Sequence, residues 1–232
     1  EVSREDLDML QTQRPILVRS SFGHSTLANS RAMELANITA DTPDPEAGKI
    51  AHNAAGQPTG ILEDSAQGLF DHMLPEITDA EMLAAAQASL EAVRAQGITT
   101  FLDASADART VAAYAALQHE GKLTARAHFA MEITPEEGRK PEEAVAALLQ
   151  VARQFDQGPV TVQPTITVRN AKLYMDGVIT APAFTGVMLE PYLVNQGTAE
   201  KPNWVSSGNK GPAPYFSAEV LKALLLKLGA AG

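Results

Sequence analysis

The 232-residue sequence contains no cysteine. Its absence excludes a disulfide framework, a thiolate metal site and a cysteine nucleophile. Any metal would therefore have to be held by histidine, carboxylate or a modified lysine. The cellular compartment stays open, because cysteine-free proteins occur in every compartment.

Long apolar runs and basic residues are also scarce. No stretch approaches the roughly 18 to 20 apolar residues that cross a bilayer, so no membrane partner is expected. Eighteen basic residues stand against 28 acidic ones, which gives a net charge of −10. Neither sign forms a long block, so a nucleic-acid partner is not expected either. The composition, 45% apolar and 20% charged, is typical of a globular protein and favours small-molecule chemistry or protein contacts.

Several catalytic signatures are missing as well. The five histidines show neither H-x-H nor H-E-x-x-H spacing, which argues against a self-contained histidine metal site. No G-x-S-x-G elbow, phosphate-binding loop or G-x-G-x-x-G fingerprint occurs, which excludes the serine hydrolase, NTPase and dinucleotide-enzyme classes. Three histidines are predicted to be structural or surface residues, namely His72, His119 and His128, and His52 lies in a polar loop with no obvious partner.

From residue 76 onward, strands alternate with helices. The clearest helix runs from about Asp79 to Gln96, because Thr78 and Glu81 form a capping box and Gly97 supplies a left-handed stop. The pattern then predicts strands at 98–102, 125–133 and 160–175, and helices at 108–120, 141–155 and 218–228. This alternation predicts an α/β fold of parallel βαβ units, whose active residues normally lie at the carboxyl ends of the strands.

Residues 1–75 are organised differently. They hold one strand-like run at 15–19, a short helix candidate at 30–36, and a stretch rich in proline, glycine and aspartate at 39–60. We therefore expect an irregular insertion subdomain at 1–75, followed by a β/α domain at 76–232.

Lys172 is the first candidate functional residue. It lies on an apolar predicted strand, and Asp176 and Gly177 mark the end of that strand. In a β/α barrel, the carboxyl ends of the strands form the catalytic face. A buried lysine is costly, which favours a group presented to an active site. The alternative is a strand-edge lysine whose ammonium group reaches water.

His24 and Asp103 are the other candidates. His24 follows a strand and a glycine, in a loop that could present it to a ligand or use it for loop-structuring hydrogen bonds. Asp103 ends a predicted strand and could face a substrate or cap the next helix. The pair Glu63-Asp64 is predicted to be a solvated helix start.

Three segments together resemble the amidohydrolase superfamily, specifically the family 3 branch that includes N-substituted formamide deformylases. They are 14–25 with Asn29-Ser30-Arg31-Ala32, 56–64, and 171–177 with Glu190-Pro191-Tyr192. The run at 97–103 also matches a recurring strand. The resemblance extends, in order, over nearly the whole chain.

The resemblance implies a distorted (β/α)8 TIM barrel whose divalent metals, typically zinc, activate water for the hydrolysis of non-peptide C–N bonds in small amide or formamide substrates. By that resemblance, Lys172 corresponds to the fourth-strand lysine, whose carbamate bridges two metals. Asp176 ends the same strand, and His24 lies in an insertion near the substrate. His24, Asp103 and Asp176 are therefore assigned to substrate binding, and Lys172 to metal binding.

The chain also departs from the family pattern. It lacks the H-x-H motif, and Leu102 stands where relatives often carry a histidine. We therefore expect an internal fragment that contains the insertion and about barrel strands two to four. Such a fragment should be inactive, bind no metal by itself, and cover its open sheet edges by forming a homo-oligomer.

Two other classes of function remain. One is a non-catalytic α/β module in which the loop of Gly23, His24 and Ser25 holds a small ligand. The other is a metal-free pseudo-enzyme barrel.

Overall fold

The computed structural model describes residues 2–180 and 183–231. The chain divides into two compact units: Glu1–Pro75 with Met175–Tyr215, and Glu76–Tyr174 with Phe216–Gly232. The sequence predicted a single boundary, with all of 76–232 in one domain. Residues 175–215 instead pack with the first 75, through long-range contacts that local sequence patterns do not reveal. Within the described ranges, no helix combines the length and the apolar character needed to cross a membrane.

The first unit is built around an antiparallel sheet. It begins with helix α1 (Arg4–Asp8), strands β1 (Leu17–Arg19) and β2 (Ser25–Ala28), and helix α2 (Ser30–Leu35). Strands β3 (Gly48–His52) and β4 (Pro58–Asp64) follow, and a 3₁₀ helix covers Ser65–Met73. The sheet order is β1-β2-β4-β3, and all neighbouring strands are antiparallel.

Residues 1–75 are therefore not irregular, because they form an ordered antiparallel sheet; their status as an insertion stays a prediction. Strand β2 was missed because its buried residues include Ser25 and Thr26, which give no hydrophobic alternation. Burial of Thr26 is possible because its hydroxyl donates a 2.7 Å hydrogen bond to the Gln67 side chain. The sheet, α2 and the 3₁₀ helix enclose a small apolar core: Ala28, Ala32, Met33, Ile38, Ile50, Leu62, Ala66 and Phe70.

The second unit contains the predicted β/α alternation. Its elements are α3 (Asp79–Ala95), β5 (Thr100–Ala106), α4 (Ala108–His119), β6 (Arg126–Glu132), α5 (Pro135–Gly138), α6 (Pro141–Phe155) and β7 (Ile166–Lys172). The strands form a parallel sheet in the order β5-β6-β7. The capping box of Thr78 and Glu81 at the start of α3 is confirmed, as is the left-handed Gly97 with φ 73°.

The core of this unit lies between the sheet and its helices. Phe129 of β6 is fully buried, and its ring contacts those of Phe101 and Tyr114 at centroid distances of 6.3 and 5.3 Å. Leu117, Ile166 and Val168 are also buried in this cluster. Burial of these large side chains is the main source of stability for a parallel sheet.

One local prediction in the second unit is wrong, and one of the two alternatives for Asp103 is excluded. The strand predicted at 160–175 extends only over Ile166–Lys172; Pro164 lacks the N–H that a strand ladder needs, and Val162 is 84% exposed. The helix after β5 is capped by Asp107, whose side chain accepts a 2.7 Å hydrogen bond from the Thr110 N–H. Asp103 is instead a residue of β5, which continues to Ala106.

The rest of the chain contributes to both units. Strands β8 (Leu193–Asn195) and β9 (Trp204–Ser206) form a hairpin in the first unit. Helix α7 (Ala218–Ala231) belongs to the second. It was predicted to stop at Gly229, but this glycine has no positive φ and the helix continues through it.

Candidate functional site

His24 is held by an acidic side chain from a different strand. It directly precedes β2, after Gly23, whose φ of 74° turns the chain. Its ring Nδ1 lies 2.6 Å from Asp64 Oδ1. The two backbones are joined as well, because the Asp64 N–H donates to the His24 carbonyl at 3.0 Å. Of the two roles open to His24, the loop-structuring hydrogen bond is present, while substrate contact stays a prediction.

Asp64 is a residue whose role sequence reasoning missed. It is the last residue of β4, and its side chain is only 7% exposed. Its backbone has φ 48° and ψ −123°, a conformation that is costly for a residue other than glycine and is common at functional sites. The prediction of a solvated helix start for Glu63-Asp64 is therefore wrong, because β4 pairs with strands on both sides and encloses this pair.

Gly177 allows a loop from residues 175–215 to approach Asp64. A Cβ atom at this position would lie 2.8 Å from Asp64 Oδ2 and would also collide with the side chain of Thr185. The Asp-Gly pair that the sequence placed at a strand end therefore has a packing role. Three segments carrying the family resemblance meet at one carboxylate, because they supply His24, Asp64 and Gly177.

The Tyr215 hydroxyl is buried close to the same carboxylate. Burial raises the pKa of Tyr215, and the negative charges of Asp64 and Asp176 raise it further. Neither Asp64 Oδ2 nor the Tyr215 hydroxyl reaches hydrogen-bond geometry with another of the described residues. The phenol can only act as the donor and the carboxylate as the acceptor, and their interaction contributes to the raised pKa of Tyr215.

Asp176 has a structural contact in the first unit. Its Oδ2 accepts a 2.9 Å hydrogen bond from the Val187 N–H, which ties together the two ends of the loop that contains Gly177. Its predicted part in substrate binding stays a prediction.

Lys172 and Asp103 belong to the second unit, at the carboxyl-terminal part of its parallel strands. Lys172 is the last residue of β7, and its Nζ lies 4.4 Å from the centroid of the Tyr174 ring. Asp103 of β5 accepts a 3.1 Å hydrogen bond from the Ser105 N–H. Lys172 therefore lies at the carboxyl end of its strand, whereas Asp103 lies within β5, which continues to Ala106. Metal and substrate binding stay predictions.

The same edge carries two polar residues that sequence reasoning missed. The Ser105 hydroxyl donates a 2.6 Å hydrogen bond to Glu132 Oε2, which joins the ends of β5 and β6. Glu132 is also the register partner of Lys172 in the neighbouring strand. Ser105 lies beyond the strand predicted at 98–102, and Glu132 lies near the end of the strand predicted at 125–133. Only the registers of the three strands show that they lie together.

Glu63 adds a perturbed carboxyl group to the antiparallel sheet. It is 4% exposed. Burial raises the pKa of Glu63 to about 7, with Asp64 and Asp44 acting in the same direction and Lys49 opposing them. The group therefore changes charge near neutral pH.

A cavity of about 270 Å³ adjoins Asp64 in the first unit. Its polar lining includes Asp44, Lys49, Asp64, Thr185 and Asn209. This volume is close to the lower limit of pockets that bind small molecules.

The described side chains of this chain do not form a complete metal centre. Across 2–180 and 183–231, no three His, Asp or Glu side chains come together as a possible metal-binding group. Lys172 Nζ lies over the Tyr174 ring, and a lysine that is not carboxylated offers no lone pair to a metal. The described residues of the chain therefore do not by themselves complete the metal site that the family resemblance implies.

Comparison with known proteins decides the family. A sequence model of the amidohydrolase family matches residues 1–232. The chain belongs to the amidohydrolase family. This amidohydrolase chain is 29% identical over 197 residues to the exoenzymes regulatory protein AepA of Pectobacterium carotovorum subsp. carotovorum, a match that covers 81% of the chain and 39% of AepA. It is 36% identical over 67 residues to the N-substituted formamide deformylase of Arthrobacter pascens, covering 29% of the chain and 12% of that enzyme.

The fold is also similar to a solved structure. An uncharacterized metal-dependent hydrolase from Pyrococcus horikoshii OT3 superposes with a TM-score of 0.55 at 18% identity, covering 99% of this amidohydrolase chain and 40% of the other. At this identity the similarity concerns the fold alone. The chain spans about two fifths of the length of AepA and of this hydrolase.

Proposed function

We propose that this amidohydrolase chain is part of a metal-dependent hydrolase that cleaves non-peptide C–N bonds in small amide or formamide substrates. Membership of the amidohydrolase family over residues 1–232 is the observation that carries the proposal. The relative named as an N-substituted formamide deformylase supports the choice of bond.

The parallel sheet supports a role as part of a barrel. Its strands β5, β6 and β7 are consecutive, parallel and connected through helices. In this proposal they correspond to strands two to four of a (β/α)8 barrel, whose catalytic face lies at the carboxyl ends of the strands. Lys172 ends the last of the three, so it is the proposed metal ligand of this chain, in carboxylated form.

The remaining metal ligands are proposed to come from elsewhere in the whole protein. Two facts support this: the matched relatives are longer than the chain, and no group of metal-binding side chains forms within the described ranges. Zinc is the proposed metal because histidine, carboxylate and carbamate donors suit it. His24, Asp103 and Asp176 remain the proposed substrate contacts.

A comparison of lysine variants in the full-length protein tests this function. Lys172→Ala should lose bound metal, and its rate of hydrolysis of an N-substituted formamide should fall at least about a hundredfold. Loss of a metal ligand should reduce activity at least as much as loss of a residue that only orients a ligand, which costs up to about a hundredfold. Lys222→Ala removes an exposed lysine of α7 and should leave both properties unchanged. Metal content is measured by mass spectrometry and hydrolysis by release of formate.

Two results would contradict the proposal. Unchanged metal content and activity in Lys172→Ala would remove Lys172 from the metal site. A wild-type full-length protein that hydrolyses no amide or formamide, yet binds such a compound, would favour the non-catalytic binding module, for which the cavity beside Asp64 is the available space.

A further inference from the structure

In the hydrogen bond between His24 and Asp64, the donor and the acceptor can be assigned. A carboxylate only accepts hydrogen bonds, so the contact at 2.6 Å requires that Nδ1 of His24 carries the proton. In the neutral ring, the lone pair is then on Nε2. No hydrogen bond from the residues that the structure describes reaches Nε2, and the side chain is 33% exposed. Nε2 is therefore the acceptor that this partly exposed ring leaves for a ligand.

Asp64 is itself held in place from several directions. Its N–H donates to the His24 carbonyl, and its own carbonyl accepts a 3.2 Å hydrogen bond from the Gln67 side chain. The same amide group donates to the Gly23 carbonyl at 2.9 Å. Gln67 thus ties the loop before His24 to the end of β4. Such bracing limits the positions that the imidazole can take.

The other carboxylate oxygen has no such bond. Asp64 Oδ2 lies close to Gly177 and the Tyr215 hydroxyl, in a place where a larger residue than glycine would not fit. The backbone of Asp64 also remains in a costly conformation. The contact of Oδ1 with His24 Nδ1 at 2.6 Å is therefore the one complete hydrogen bond of this carboxylate within the described residues.

We propose that Asp64 is a positioning residue that fixes His24 as its Nδ1-protonated tautomer, so that Nε2 accepts a hydrogen bond from an N–H or O–H group of the substrate. Gln67, Gly177 and Tyr215 keep Asp64 in this orientation. The second part of the proposal rests on the proposed function, because a secondary amide or N-substituted formamide carries the required N–H donor. The first part, the tautomer, does not depend on any reaction.

Nitrogen NMR of the imidazole rings tests the tautomer directly. Long-range ¹H–¹⁵N spectra are recorded at about pH 8.5, where free imidazole is neutral, and the His24 signals are assigned by their loss in His24→Gln. We expect His24 to carry its proton on Nδ1. Asp64→Asn should retain this tautomer in part, because the amide oxygen still accepts, whereas Asp64→Ala should lose the preference.

The wild-type spectrum alone is decisive if Asp64→Ala does not fold. A His24 ring that carries its proton on Nε2, or on both nitrogens, would overturn the proposal. His52→Gln is the matched control, because His52 is exposed on β3, and it should leave the His24 signals unchanged.

Kinetics of the full-length protein test the substrate contact. His24→Gln should lower kcat/KM for an N-monosubstituted formamide about tenfold, as expected for the loss of one good hydrogen bond. It should have little effect on an N,N-disubstituted analogue, which has no N–H. Equal losses for both substrates would contradict the acceptor role, although the hydrolase function would stand. No hydrolysis of either by the wild type would refute the proposed function and leave the tautomer result intact.

Discussion

Glu63 shows how a single residue can make stability depend on pH. Its carboxyl group is enclosed in β4 with Asp64 beside it and Lys49 opposite it on β3. Burial raises its pKa from 4.5 to about 7. The folded state therefore holds a proton that the unfolded state has already released between these two pH values.

The consequence is a loss of stability with rising pH. A raised folded-state pKa contributes stability that is fully present below about pH 4.5 and is lost as the pH rises toward 7, with a total of about 3 kcal/mol. Glu63→Gln removes the titrating group while keeping its size. We expect the free energy of unfolding of the variant to lack this decline between pH 5 and pH 8.

Urea unfolding monitored by circular dichroism at several pH values measures the effect. Glu219→Gln, at the start of α7, serves as the exposed control and should keep the wild-type pH dependence. A parallel decline in wild type and Glu63→Gln would show that the Glu63 carboxyl group is not responsible.

The connection between α6 and β7 shows how one side chain joins two elements. β7 is an edge strand of the sheet, and its Val168 N–H donates to Asp156 Oδ2 at 3.0 Å. Arg169 donates to both oxygens of the same carboxylate at 2.8 and 2.9 Å. Hydrogen bonds from Arg169, Val168 and Gly158 hold the pKa of Asp156 down at about 2 despite its partial burial.

Asp156→Ala should therefore destabilise the second unit by about 2 kcal/mol at neutral pH, because the carboxylate is favoured in the folded state and a buried N–H would lose its acceptor. A depressed pKa contributes stability that is present above about pH 4 and is lost as the pH falls toward 2. The thermal midpoint at pH 7 and at pH 3 measures this difference.

Asp79→Ala is a suitable comparison. Asp79 also accepts a hydrogen bond from an arginine, Arg109, but its side chain is 96% exposed. Exposed ion pairs contribute little, so this variant should remain close to wild type. Equal destabilisation by both substitutions would contradict the assigned role of the α6–β7 connection.

Elements with local signals were predicted well. α3, α4 and α6 begin and end close to the expected positions, because caps, prolines and glycines act within a few residues. Strand β2 and the ends of β5 and β7 were not predicted correctly. Their limits depend on hydrogen bonds to distant partners, such as the Gln67 side chain for Thr26.

At the scale of the whole molecule, exposed apolar side chains predict association. Leu102 of β5 is 54% exposed, Leu226 of α7 is 65% exposed, and Val162 is 84% exposed. Together with the edges of a three-stranded parallel sheet, such groups favour contact with another copy. The homo-oligomer remains a prediction of the sequence.

Light scattering after size-exclusion chromatography measures the mass in solution. We expect particles larger than the 24.6 kDa of one chain, with a mass that rises with concentration. Leu226→Lys should lower the mass if α7 takes part in the contact, while Lys222→Ala should not. A single 24.6 kDa species with one cooperative melting transition would instead favour a self-standing module.

In the candidate site, as in the fold, some features could be recognised from the sequence and others only from the structure. His24 and Lys172 were found from the sequence, because one follows a strand and a glycine and the other lies on an apolar strand. Asp64 was not, since its burial depends on β2 and β3 pairing on either side of β4. The position of Glu132 beside Lys172 is known only from the register of β6 and β7.

The sequence by itself determined the family, the α/β alternation of residues 76–174 and two of the residues of interest, because these follow from motifs and from signals within a few residues. Only the tertiary structure decided that residues 175–215 pack with the first 75. It alone joined His24 to Asp64, 40 positions apart, and brought Gly177 against the same carboxylate. The physical reason is that burial and hydrogen-bond partners at such separations depend on how the strands pair and how the loops cross them.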